Sequence, residues 1–284
     1  MCMPHILRRV KLFEAIVRVQ DLKKTFRTSG SILQTIMGKG EQIRAVDDVS
    51  LDIMKGEVLG LVGESGSGKT TLGRLLLRLE EPDSGKIYFE GADFTAVKEQ
   101  SRIREFRRRM QMIFQDPYDS INPRMRVREI VGEPLRVHGR GLNERDRFER
   151  IIEILEDVKL TPAKNYVDRY PHELSGGQRQ RVAIARTLII RPSFIVADEP
   201  VSMLDVSIRA DLLNLMLDLK DRYNLTYLFI THDLAVAKYI CDRIAVMRLG
   251  KIVELGPTLE VVNNPRHPYT KALRAAVPRL KPRA

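Results

Sequence analysis

Apolar residues fall into two patterns along this chain. Unbroken runs bounded by turn residues, Val58-Leu59-Gly60-Leu61-Val62, Phe194-Ile195-Val196-Ala197 and Thr226 to Ile230, predict buried strands. Alternation over Glu14 to Val19, where Ala15, Val17 and Val19 oppose Ile16, Arg18 and Gln20, predicts another strand, as do Ile43 to Ile53 and Lys86 to Phe89. These last three suggest a small, largely antiparallel sheet. Past Gly91 the spacing turns helical: Ile103, Phe106 and Met110 recur through a basic run, and Phe148, Ile151, Ile152, Leu155 and Val158 recur within Asn143 to Leu160 behind the cap residue Asn143. Thr71 to Leu79, the stretch opened by Ser175 with its stripe Val182, Ala185, Leu188 and Ile189, and Ser207 to Tyr223 are further helices. Arg27 to Gln42 is polar and Gly-containing and reads as a long loop or insertion, and the Pro-rich, basic stretch from Pro257 reads as an appendage outside the core.

The strand Val58–Val62 runs into Gly63-Glu64-Ser65-Gly66-Ser67-Gly68-Lys69-Thr70 and then a helix opening at Thr71, which is a P-loop in its required strand-turn-helix context. Glycines let backbone amides curl around phosphate oxygens, the helix start adds positive dipole, Lys69 supplies a point charge and the Thr70 hydroxyl suits Mg²⁺. A nucleoside triphosphate with Mg²⁺ is the implied ligand. Downstream, the strand Phe194–Ala197 delivers Asp198, placed to hold Mg²⁺, and Glu199, placed to polarise a hydrolytic water. Gln115 sits at a strand end before Pro117 and is either a reach toward metal or water or an exposed loop amide; His232 follows the strand Thr226–Ile230 and is placed for the terminal phosphate. In Leu174-Ser175-Gly176-Gly177-Gln178, two glycines in a first helical turn suit close approach to an anion. Phe26 is either a platform for an adenine ring or a strand-end aromatic.

Composition narrows the picture little. The 284 residues, 43% of them apolar, support a real core, and a net charge of +11 is compatible with nucleic acid, a membrane surface or a polyanionic ligand. The basic run Arg102 to Arg109 reads as the solvated face of an amphipathic helix, so it requires no DNA groove. Cys2 and Cys241 have no metal-type spacing, and no stretch approaches the length of a membrane span, so a reducing cytoplasm is expected. His5, His138, His172 and His267 read as surface or cap residues.

With these pieces in order, the chain resembles the ATP-binding cassette (ABC) ATPase family from about Ile16 to Gly256. Gly63 to Thr70 matches its Walker A motif, Gln115 its Q-loop, Leu174 to Gln178 its LSGGQ signature, Phe194 to Asp198 its Walker B, Glu199 its catalytic glutamate, Ser202 to Asp205 its D-loop and His232 its switch histidine. Met203 departs from the small residue usual in the D-loop. The resemblance implies an α/β P-loop NTPase cassette with a RecA-like core, an antiparallel β subdomain and an inserted helical subdomain over roughly 100–190, within a domain spanning 14–256, followed by an extension over 257–284. It implies catalytic roles for Glu199, His232 and Gln115. Nucleotide is implied on Gly63, Glu64, Ser65, Gly66, Ser67, Gly68, Lys69, Thr70, Thr71, Phe26, Ser175, Gly177 and Gln178, with Mg²⁺ on Thr70, Gln115 and Asp198. The signature residues would act on the nucleotide of an opposite subunit.

The stretches Phe114 to Pro123, Tyr170-Pro171-His172-Glu173 and Asn264 to Leu273 are similar to the dipeptide/oligopeptide importer ATPases, particularly the second ATPase subunit. That implies an ATPase powering peptide uptake at the cytoplasmic face of the membrane. Its implied partners are a second, related ATPase subunit, two membrane permease subunits and an extracytoplasmic solute-binding protein. The same subfamily serves oligosaccharide and nickel uptake. With no cysteine after Cys241, no iron-sulfur cluster is expected. Two rivals differ in class. A DNA-associated cassette would separate Walker A from the signature by a long coiled-coil insertion, which the spacing here does not provide, and a non-hydrolysing regulatory cassette would have no need of both Glu199 and His232.

Overall fold

The computed structural model describes residues 14–27, 42–116, 121–138 and 142–276. Most of the expected 27–42 insertion, and the last residues of the chain, lie outside them. Strand β1 (Ala15–Arg27) pairs antiparallel with β2 (Gln42–Met54) and with β4 (Ser84–Phe89), and the short β5 (Ala92–Asp93) completes a four-stranded sheet in the order β2-β1-β4-β5. The second sheet has six strands in the order β10 (Lys251–Pro257), β9 (Arg243–Arg248), β3 (Val58–Val62), β8 (Thr226–Thr231), β7 (Phe194–Asp198) and β6 (Met110–Ile113). All its neighbours are parallel except β10, which returns antiparallel to β9.

Why the central strands read as continuous apolar runs is visible in their packing. Val58 and Val62 of β3 join one apolar cluster, whereas Leu59 and Leu61 join the other. Tyr227 and Phe229 of β8, and Ile195 and Ala197 of β7, face the first cluster; Leu228, Ile230, Phe194 and Val196 face the second. Side chains alternate with period two, so a strand covered on both faces needs apolar residues at every position. The first cluster is completed by α3 (Val127–His138), α4 (Glu144–Asp157), α5 (Gly176–Leu188), α6 (Val206–Tyr223) and α7 (Leu234–Ile240). The second is completed by the antiparallel sheet with α1 (Lys69–Leu76) and α2 (Gln100–Arg109).

Three expectations need correction. Met110 does not continue α2: its apolar spacing after Phe106 is helical, but the residue opens β6, which pairs with β7 and so places a sheet strand inside the stretch expected to be helical. Phe148 does not bury on α4, where it is 42% exposed, and Ile154 fills the core instead. Nor does the stretch from Pro257 stand apart, because Val261 and Val262 of α8 (Thr258–Asn263) and Tyr269 of α9 (Pro268–Ala276) pack into the first cluster. Helix α3 has no counterpart in the periodicity, since Gly132 and Pro134 interrupt it.

Candidate phosphate and carboxylate site

Between Val62 and α1 the chain makes a tight turn whose glycines are dictated by neighbours. A Cβ on Gly63 would overlap the Met247 carbonyl at the end of β9, and one on Gly68, where φ is +105°, would overlap the Ala45 carbonyl of β2. Gly66 has open space around it, so its φ of +79° is what selects glycine there. The loop is also tied from outside: Gly250 N–H, in the β9–β10 turn, donates to the Ser67 carbonyl at 3.0 Å, and Glu64 N–H donates to the Tyr269 hydroxyl at 2.9 Å.

Lys69 is buried, and its Nζ donates to the Gly63 and Glu64 carbonyls, each at 2.8 Å, and to Ser67 Oγ at 3.4 Å. Burial pulls its ammonium below the usual range, with the carboxylates of Glu199, Asp198 and Glu64 acting in the opposite sense. Helix α1 starts behind Gly68 with no side-chain cap and no acidic residue in its first turn. Its leading amides therefore have no N-cap side chain to accept from them, which is the arrangement that fits a phosphate. Thr71 lies in that first turn and is half-buried.

The ends of three parallel strands converge beside this turn. Asp198 closes β7, buried, with its Oδ1 accepting from the Thr70 hydroxyl at 3.1 Å; burial raises its carboxyl above the ordinary value, while the Thr70 bond works against that rise. A hydroxyl and a desolvated carboxylate at this separation are hard oxygen donors that fit Mg²⁺. Glu199 follows with φ +45°, a left-handed conformation uncommon for a side-chain-bearing residue. It is held there by its N–H donating to the Ile230 carbonyl at 2.9 Å and by its own carbonyl accepting from Ser202 N–H and Oγ at 3.2 and 3.0 Å. Gln115, just beyond β6, donates from Nε2 to Glu199 Oε2 at 3.2 Å, and His232, just beyond β8, pairs Nδ1 with Glu199 Oε1 at 3.0 Å. A carboxylate only accepts, so the pairing makes Nδ1 the protonated ring nitrogen. Gln115 and His232 thus meet on one carboxylate, which their separation in sequence did not foretell.

The structure does not bring every expected residue to this point. Ser175 Oγ accepts from Gln178 N–H at 3.3 Å while Gln178 Oε1 accepts from Ser175 N–H at 2.9 Å, a capping box whose bonds run to each other and not to the P-loop. An added Cβ on Gly177 would stand 2.8 Å from Ile208 Cγ2, so the approach of α6 already requires glycine there. Phe26, next to last in β1, lies opposite Ile43, two residues before the Ala45 that backs Gly68; it is 38% exposed, with Lys24 Nζ 5.4 Å from its ring centre. Sequence reasoning missed the tethers Gly250 and Tyr269, and Arg209, which donates to the carbonyls of Leu204 and Ser202 at 2.6 and 3.2 Å and so shapes the turn carrying the exposed Met203. Beside Gln115, a groove is lined by Leu79, Arg107, Met112, Phe114 and Arg186, with Leu79 and Phe114 exposed.

The model of the ABC transporter family matches residues 46–202, and that of the oligopeptide/dipeptide transporter C-terminal region matches residues 253–284. The chain is 50% identical over 265 residues to the oligopeptide transport ATP-binding protein OppF of Bacillus subtilis strain 168, covering 93% of this chain and 83% of that protein. It is 51% identical to the OppF of Streptococcus mutans serotype c, covering 93% and 84%. Among solved structures, a dimeric ATP-binding cassette in a post-hydrolysis state bound to ADP and Pi superposes with a TM-score of 0.74 at 29% identity, covering 85% of this chain and 98% of that one. The cbiO1 cassette of Clostridium perfringens, part of an ABC transporter complex, superposes with the same TM-score at 26% identity, covering 88% and 91%.

Proposed function

We propose a function from one premise, that this chain belongs to the ABC transporter family: it is the ATP-hydrolysing subunit of an importer for oligopeptides. The observation that carries this reading is the pairing of an uncapped P-loop helix, α1, with a single carboxylate, Glu199, held by Gln115 and His232. Full-length relatives at about half identity carry the oligopeptide transport name, and the C-terminal region matches the family model for such transporters. Oligosaccharide or nickel uptake by the same machinery remains the alternative cargo.

The residues divide the chemistry. Backbone amides from Ser65 to Thr70 surround the β and γ phosphates, and Lys69, keeping its bond to the Gly63 carbonyl, turns its other N–H donors toward them. Thr70 and Asp198, with Gln115 beside them, would hold Mg²⁺, which when bound neutralises charge on those phosphates. Glu199 accepts a proton from the attacking water, and Gln115 and His232 fix the carboxylate's direction and keep it in reach of the terminal phosphate. Phe26 is assigned to the adenine. Ser175, Gly177 and Gln178 are assigned to the nucleotide of a second, related cassette, so that two cassettes close over two ATP molecules.

No helix among the described residues is long and apolar enough to cross a membrane. We place the chain peripherally on the cytoplasmic face, docked on two permease subunits that receive solute from an extracytoplasmic binding protein. The groove at Leu79, Phe114 and Met112, next to Gln115, is where a permease helix would enter, so that its movement reaches Glu199 through one side chain. An ATPase assay on the purified chain, with and without Glu199→Gln, tests the enzyme. Uptake of labelled oligopeptide, sugar and nickel by cells carrying the Gln variant tests the cargo: loss of peptide uptake alone is expected, and undiminished peptide uptake contradicts the assignment.

A further inference from the structure

The Tyr269 hydroxyl and the Lys69 ammonium grip the same peptide group from opposite sides. The unit joining Gly63 to Glu64 offers its carbonyl to Lys69 Nζ at 2.8 Å and its N–H to Tyr269 Oη at 2.9 Å. In a trans peptide the C=O and N–H point in opposite directions, so fixing one fixes the other. The two bonds also reinforce each other, because a cation on the carbonyl polarises the amide and makes its N–H a stronger donor.

Tyr269 is held for this contact. The Glu254 carboxylate of β10 accepts from the Arg266 and His267 amides at 2.8 and 3.0 Å, His267 Nδ1 accepts from Tyr269 N–H at 3.1 Å, and the Arg248 guanidinium lies 5.0 Å from the Tyr269 ring centre. The ring itself is buried at 7% exposure. Packing of the ring would account for a phenylalanine here; among the described residues, what the hydroxyl adds is the bond to Glu64.

We propose that Tyr269 is a positioning residue of the nucleotide site, through which the C-terminal region sets the orientation of the Gly63–Glu64 peptide and thereby the seat of Lys69. The inference rests on the ATPase reading given above. It makes the C-terminal region part of what determines nucleotide affinity.

The test titrates MgATP directly into the full-length wild-type chain and into Tyr269→Phe, Tyr269→Ala and the exposed Lys271→Ala, with kcat, KM and Tm measured alongside. Removing one neutral hydrogen bond while keeping the ring should weaken MgATP binding and raise KM by about fivefold, with kcat and Tm close to wild type. The Ala variant should lose more affinity and also Tm, and Lys271→Ala should match wild type. A Phe variant that binds MgATP as wild type does overturns this inference alone. So does one whose kcat and Tm fall together with affinity, since that assigns Tyr269 to general packing. A wild-type chain that fails to bind MgATP overturns the ATPase reading and this inference with it.

Discussion

Helices α1 and α5 both begin at short turns built of glycine and serine, yet they leave their first amides in opposite conditions. Behind Gly68 no side chain caps α1, whereas Ser175 and Gln178 cap α5 reciprocally and Ile208 fills the space beside Gly177. Orphan amides in a partly buried turn need an acceptor; α5 supplies its own, whereas on the proposed function α1 takes it from the nucleotide. On that reading, nucleotide affinity within one chain resides at α1. Helix α5 is a finished structural element, and the proposed function gives its outward face a role only when a second cassette presents a phosphate to it.

The largest effect should come from Lys69→Ala, which removes the ammonium assigned to the β and γ phosphates. Affinity for MgATP in a direct titration should fall by more than about a hundredfold, the scale of losing more than one charge-assisted bond, and unchanged affinity would remove α1 from the comparison altogether. Glu199→Gln keeps shape and loses charge, so MgATP binding should persist while turnover drops by about a hundredfold or more. The stalled protein should then elute from a sizing column as an ATP-dependent dimer, alone or with a related cassette, because in the proposed arrangement intact nucleotide bridges the α1 of one subunit and the α5 of the other. Failure to dimerise with ATP bound would leave α5 with only its structural role.

Ser175→Ala probes the other helix. Loss of the cap should cost about 1 kcal/mol of stability by chemical denaturation. Binding of MgATP to the isolated chain should stay at the wild-type value, while ATP-driven dimerisation is weakened. The smallest effect concerns Glu254. Although desolvation works to raise it, the Arg266 and His267 amides help hold this carboxyl below its ordinary value of 4.5. A carboxyl depressed in the folded state stabilises it above the ordinary pKa and ceases to do so as pH falls through the folded value. A Tm scan should therefore show a slight extra loss below about pH 4.5 in the wild type that Glu254→Gln lacks.

How much of this was legible in the sequence depends on the range of the interaction. The turn from Gly63 to Thr70 is local, since its glycines, its lysine and the strand before it all stand within a dozen residues, and the structure builds it as the spacing requires. Asn143 and Ser175 were readable as caps for the same reason. Met110 misled because a strand of only four residues carries too short a pattern to outweigh the helical spacing just before it. Phe148 misled because spacing identifies the face of a helix but not how deeply a neighbour covers it. The Tyr269–Glu64 bond joins residues 205 positions apart through one hydroxyl and one amide, so no periodicity records it. Its motif was visible, but its purpose needed the fold.

Strand β3 gives Val58 and Val62 to one apolar cluster and Leu59 and Leu61 to the other, and it pairs with β8 on one edge and β9 on the other. Neither half of the molecule can open without uncovering it. Protection of backbone amides against exchange with deuterated water reflects the free energy of the smallest opening that exposes them. For the amides from Leu59 to Val62 the expected opening is the unfolding of the whole domain. The turn from Gly63 to Thr70 is therefore mounted on a strand whose amides are expected to exchange slowly, while α9, which reaches that turn through the Tyr269 hydroxyl, is placed to exchange independently.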